Sequence, residues 1–148
     1  MKRFAVIAML IAAFAVSAFA QKDETAAARV PLENYLKGHA TGDGEYMKKA
    51  FHTEGSMIFV RDGKYMTRSF AEYIAGMSGK PAADEAQRKR WIEKVEIVGN
   101  AGIGTIILDY PQGKFVDYMT LLKIGDEWKI VNKSFHFEPK PQPQKANE

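Results

Sequence analysis

The sequence predicts an α+β fold in which helices from the N-terminal half cover one face of a curved antiparallel sheet. Three observations carry this. Apolar residues recur at helical spacing between Val30 and Phe51 and again between Phe70 and Met77. From Arg88 to Phe137 the period changes to two. The order is helix, helix, hairpin, helix, then a meander of long strands, which excludes an alternating βα plan. With 148 residues, 46% of them hydrophobic, the chain suits one domain with a sizeable core.

Each element has its local signal. Gln21 to Ala28 reads as a polar, Ala-rich lead-in. Val30-Pro31 can open the first helix, since proline is accepted in a first turn. Leu32, Tyr35, Leu36 and His39 then fall at i, i+3, i+4 and i+7 on one face. Gly42-Asp43-Gly44 stops that helix, and Asp43 can cap a short second one carrying Tyr46, Met47, Ala50 and Phe51, closed by His52 and Gly55. Ser56 to Val60 is a strand, Asp62-Gly63 a hairpin turn, and Tyr65 to Arg68 the return. Ser69 with Glu72 three residues on forms a capping box for the third helix. Residues 78–87 are a polar loop. Four strands follow, Arg88 to Val98, Ile103 to Tyr110, Lys114 to Ile124 and Trp128 to Phe137, and their short turns predict that sequence neighbours pair. Residues 138–148 are rich in Pro and Gln and read as an extended, disordered tail.

The charge pattern bears on location. Lys2 and Arg3 precede an apolar run from Phe4 to Val16, and Ser17-Ala18-Phe19-Ala20 places small residues where a signal peptidase cuts. Residues 1–20 are expected to be a secretory signal peptide, and the protein periplasmic or secreted. The apolar run is shorter than the ~20 residues a membrane span needs. The whole chain carries 21 basic and 18 acidic residues, but Lys2 and Arg3 leave with the signal, so the rest is nearly neutral. That balance argues against a nucleic-acid partner. No membrane association is expected after cleavage. Cysteine is absent, which excludes disulfides, a thiolate nucleophile and Cys-bound metal.

The segments Tyr35 to Asp43, Lys49 to His52, Arg61 to Lys64, Asp117 to Ile124 and Glu127 to Lys133 together resemble the NTF2-like (nuclear transport factor 2-like) superfamily. Within it they are most similar to the small bacterial proteins called putative lumazine-binding, over residues 29–137. The resemblance implies a cone-shaped fold with a pocket between sheet and helices, three helices packed on the sheet, and a homodimer through the outer sheet face. The superfamily holds enzymes, transport factors and passive pocket domains, so the fold alone assigns no activity.

The candidate ligand-binding residues are Tyr35, His39, His52, Phe59 and Asp117. Tyr35 stands where ketosteroid isomerase, an NTF2-like enzyme, has an oxyanion donor. That chemistry also needs a carboxylate base. The base position falls at about Phe59 and the second acid near Thr120, so the isomerase pattern is not reproduced. Tyr35 then lines a pocket or fills the core with its hydroxyl satisfied. His39 lies one turn beyond it. His52 either caps the second helix or faces the pocket. Asp117 shares a strand face with Phe115, Met119 and Leu121; inward, it is the best acid or base, and outward, an ion-pair partner. Arg88 and Arg90 share a face with Ile92 and Lys94, while Trp91 lies opposite with Val95 and Ile97, which reads as a solvated edge or dimer rim. Three scattered histidines lack metal-ligand spacing, so no metal and no cofactor is expected. The leading expectation is a non-catalytic protein that binds a small apolar or aromatic ligand. The alternatives are a lyase or isomerase using a His or Asp117 with Tyr35 as donor, and a protein-interaction module using its sheet face and tail.

Overall fold

A computed structural model describes residues 24–141. Helix α1 occupies 24–41 of them. It is followed by α2 (Gly44–Ala50), strands β1 (Phe51–Arg61) and β2 (Lys64–Ser69), and α3 (Phe70–Ala75). A 3-10 turn (Glu85–Gln87) leads into β3 (Lys89–Val98), β4 (Ala101–Tyr110), β5 (Gly113–Ile124) and β6 (Glu127–Pro139). The expected α+β class holds, with the helices packed on one curved sheet of order β2-β1-β6-β5-β4-β3. All strand pairs are antiparallel except β1 and β6, which run parallel and join the hairpin to the meander. The expected signal peptide at 1–20 and residues 142–148 of the tail expected at 138–148 lie outside the described residues, while Glu138 and Pro139 continue β6, opposite Lys114 and Gly113.

Residues 24–28, expected as lead-in, are helical, because the Ala-rich run has high helix propensity and Ala28 is buried. Glu24 accepts hydrogen bonds from Lys123 Nζ at 2.5 Å and Trp128 Nε1 at 3.0 Å, which pins the start of α1 to β5 and β6. Ala28, Leu32 and Tyr35 form the buried stripe. The helix lies so close to β4 that a Cβ on Gly104 would stand 2.6 Å from Leu32 Cδ1. Gly42, with φ of 71°, ends α1 in a left-handed turn that glycine adopts at low cost. Asp43 accepts from the Glu45 amide and caps α2, and Ser69 with Glu72 forms the capping box of α3, both as the sequence predicts.

The second helix is shorter than expected. It stops at Ala50, and His52 and Gly55 lie on β1 rather than at a helix end. Phe51 stacks on Phe70 with ring centroids 3.8 Å apart, and its backbone pairs with Ile130 of β6. Ladder pairing with β6, together with this stacking, overrides helix continuation; the register slips between Phe51 and Ser56.

Two further irregularities decide which side chains face the helices. Between Ile92 and Lys94 the β3–β4 register shifts, so Arg90 and Ile92 point inward and the inward set resumes at Val95 and Ile97. Unbroken alternation places Val95 and Ile97 with Trp91; the bulge at Glu93 reverses that. Between β5 and β6, Leu121 pairs with Ile130 but Thr120 pairs with Asn132, which makes Val131 an extra residue. Trp128 and Ile130 face the core before this bulge, and Lys133, Phe135 and Phe137 share the inner face after it. Bulges change side-chain parity in this way and recur beside functional sites.

Candidate functional site

The inner face of the cone carries a buried polar cluster. Tyr35 from α1 and Asp117 from β5 are each 0% exposed, and Lys133 from β6 is 5% exposed. The Tyr35 hydroxyl donates to Asp117 Oδ2 at 2.6 Å. Lys133 Nζ donates to the Tyr35 hydroxyl at 2.7 Å and pairs with Asp117 Oδ2 at 2.9 Å. The other carboxylate oxygen, Asp117 Oδ1, is buried without a hydrogen-bond partner. Burial, and then the Asp117 carboxylate, push the Tyr35 hydroxyl well above its usual pKa of 10.0. Burial pulls the Lys133 ammonium down from 10.5, and the Asp117 charge opposes that.

A second polar layer lies one helical turn along. The His39 ring meets Tyr35 edge-on, with centroids 4.6 Å apart. Its Nε2 is 3.0 Å from the Tyr73 hydroxyl and its Nδ1 is 3.2 Å from the Tyr110 hydroxyl. A neutral imidazole satisfies both, accepting at one nitrogen and donating at the other. Burial first, then the positive charges of Lys133, Arg90 and Arg88, hold His39 well below its usual 6.5. Arg88 lies 4.4 Å over the Tyr110 ring, and Arg90 lies 5.5 Å over it while gripping Glu85 with two hydrogen bonds. These arginines were expected at a solvated rim; they instead close one end of the cone, because Arg90 shares inward parity with Ile92.

Lys133 opens onto a cavity of about 220 Å³. Met57, Phe59, Leu108, Phe115 and Phe135 supply its apolar walls, Tyr73 adds a hydroxyl, and the exposed Arg61 and Arg68 stand at its edge. A larger cleft of about 920 Å³ shares Phe59, Arg61, Phe115 and Phe135 with it where β1 and β6 part beyond the Ile58–Ser134 pair. Among the described residues, no carboxylate lines the inner cavity, and the charged groups lining it are the three cations Lys133, Arg61 and Arg68. Such a space suits an apolar ligand with an anionic or carbonyl oxygen.

Of the residues singled out in the sequence, Tyr35, His39 and Asp117 come together, and Phe59 walls the cavity beside them. His52 stands apart. It lies on β1 in a separate cleft of about 630 Å³ with Phe51, Phe70 and Ile74, and its Nδ1 accepts from the Glu54 amide at 3.3 Å. Asp117 points inward, which settles the face left open in the sequence. Thr120, the position that counting gave for the isomerase's second acid, points outward and is exposed; the carboxylate that meets Tyr35 is Asp117. The Tyr35 hydroxyl already donates to Asp117, which leaves it no proton for a ligand. His136 is exposed at the far end of β6. Among the described residues, no group of three or more His, Asp or Glu could hold a metal.

Sequence reasoning missed Lys133, Tyr73 and Tyr110. For Lys133 a signal existed. Trp128 and Ile130 have one parity and Phe135 and Phe137 the other, so two apolar faces within one strand require a bulge between them. That bulge turns Lys133 inward.

Comparison with known proteins follows the same outline. The family model described as putative lumazine-binding matches residues 23–136. An NTF2-like protein of unknown function from Shewanella baltica has 25% identity and a TM-score of 0.71, covering 80% of this chain and 96% of its own. One from Methylobacillus flagellatus has 26% identity and a TM-score of 0.65, covering 78% and 93%. Among curated proteins, aldolase FrzH from Cladobotryum is 21% identical over 108 residues, which is 72% of this chain and 85% of that protein.

Proposed function

The chain belongs to the putative lumazine-binding family of NTF2-like proteins, and from that premise we propose that its cone binds a small, largely apolar molecule through one carbonyl or carboxylate oxygen. The observation that carries this is Lys133, a buried cation opening onto a cavity walled by Phe59, Phe115 and Phe135. In such surroundings a charge-assisted hydrogen bond to a ligand oxygen is strong, because no water competes. Arg61 and Arg68 favour entry of an anionic group. The apolar walls supply affinity, and Lys133 supplies orientation. We also propose that the protein is exported after a cut following Ala20, and that it pairs with a second copy through its outer sheet face. Trp91, Ile103 and Tyr118 expose 40%, 53% and 53% of their surface there, an apolar patch that a dimer would cover.

Titration with benzoate, benzaldehyde and ethylbenzene, followed by amide chemical shifts, tests the pocket. The two oxygenated compounds should perturb residues around Phe59, Phe115 and Lys133 and bind more tightly than ethylbenzene. Equal affinity for all three, or shifts confined to the Phe51–His52–Phe70 cleft, would refute it.

A second reading has its own support. Lys133, which lines the cavity, pairs directly with the buried carboxylate of Asp117, a group able to take its proton. The aldolase name of the curated relative points the same way, toward chemistry on a carbonyl compound.

A further inference from the structure

We propose that Lys133 is a nucleophilic amine that forms an imine with an aldehyde or ketone bound in the cone. The inference rests on the pocket reading above and names the class of its ligand.

Geometry is the first support. Lys133 Nζ is held by the Tyr35 hydroxyl at 2.7 Å and Asp117 Oδ2 at 2.9 Å, and its remaining tetrahedral position is available to the cavity it lines. Once the ammonium has passed a proton to Asp117, rotation about the Cε–Nζ bond turns the resulting lone pair into that position. The side chain is fixed further by the rings of Phe135 and Tyr35, 4.9 Å and 5.1 Å from Nζ, so little rotamer freedom remains to be lost at reaction.

Asp117 is the second support, and it is independent of the first. Its Oδ1 is buried with no hydrogen-bond partner, whereas a carboxylate serving only as counter-ion would ordinarily be satisfied at both oxygens. A carboxylate so placed can accept a proton and return it. Burial, which lowers the affinity of Lys133 for its proton, acts in the same direction. The Val131 bulge is the third support. Without it Lys133 would face outward, so the strand departs from regular pairing at the one place that brings an amine into the cone.

The step balances within these groups. The Lys133 ammonium passes a proton to Asp117 across the 2.9 Å contact. The freed amine attacks the carbonyl carbon, and the Nζ–C bond forms as the π pair moves to oxygen. A proton shifts from nitrogen to that oxygen, giving the carbinolamine. Asp117 returns its proton to the hydroxyl, the C–O bond breaks and water leaves. A cationic imine remains beside an ionised Asp117, so the site holds one cation and one anion before and after. No oxidant, metal or cofactor enters.

The test treats the full protein with benzaldehyde and cyanoborohydride near neutral pH, then maps modified peptides by mass. A benzyl group should appear first on Lys133, ahead of exposed amines such as Lys37 and Lys48, and excess benzoate should suppress it. Lys133→Arg, whose guanidinium forms no imine under these conditions, should abolish labelling at that position and leave only the slow labelling of exposed amines. Even labelling across surface lysines, or an unlabelled Lys133 in a protein that binds benzoate in the cone, would overturn the imine proposal and leave the pocket reading standing. Absence of both benzoate binding and labelling would overturn both.

Discussion

Removing one member of the Lys133–Asp117 pair should cost far more than removing both charges. In Lys133→Met the Asp117 carboxylate stays fully buried with Tyr35 as its one donor. Breaking a buried pair this way costs about 3–5 kcal/mol. Asp117→Asn leaves the Lys133 ammonium buried without its counter-charge and should also be strongly destabilising. The double variant holds no buried charge. Its Asn carbonyl still accepts from Tyr35, and methionine fills the lysine stem's volume. Replacement of buried pairs by neutral groups is often neutral in stability, so it should recover to within ~2 kcal/mol of the unmodified protein. Urea unfolding at pH 7, fitted with a common slope, gives all four stabilities. If the two single losses simply add in the double variant, to within about 0.5 kcal/mol, the groups are uncoupled and the buried cluster is not as described.

Other expectations follow from the same structure. The folded-state pKa of His39 lies below 6.5, so between those two values the unfolded chain binds a proton that the folded one does not. Stability should therefore fall as pH drops below 6.5, before the carboxylates protonate, and His39→Gln should flatten that part of the profile, measured by Tm between pH 7 and 5. The groups facing His39 are Tyr35, Tyr73, Tyr110, Lys133, Arg88 and Arg90. Gly104→Ala should lower stability by about 1–3 kcal/mol, since its Cβ would meet Leu32 at 2.6 Å, and Leu32→Val should restore part of it. Tyr118→Lys with Ile103→Glu on the outer face should yield a monomer by light scattering with unchanged benzoate binding, if that face joins two copies.

The elements were legible where one local rule decided them. The capping box at Ser69, the Asp62-Gly63 turn with both φ values positive, and the four paired strands all follow from neighbours in sequence. Asp43 marked the start of α2, but nothing local marked its end. Phe51 leaves the helix because β6, some eighty residues later, offers a parallel partner. The candidate site divides in the same way. Tyr35 and His39 could be placed on one helix face from their spacing. The orientation of Asp117 could not be read, since β5 has mixed residues on both faces and only burial under α1 separates them. Unbroken alternation puts Val95 and Ile97 with Trp91, and one extra residue in β3 reverses that; one extra residue in β6 likewise turns Lys133 inward.

The most direct test of ligand recognition by the buried amine compares the unmodified protein with the Lys133→Met, Asp117→Asn double variant, which should keep its fold. Calorimetric titration with benzoate should show saturable binding to the first and at least a tenfold loss in the second, with both proteins giving the same heat for ethylbenzene. Equal benzoate affinity in the two folded proteins would contradict the assignment of Lys133 as the group that holds the ligand oxygen.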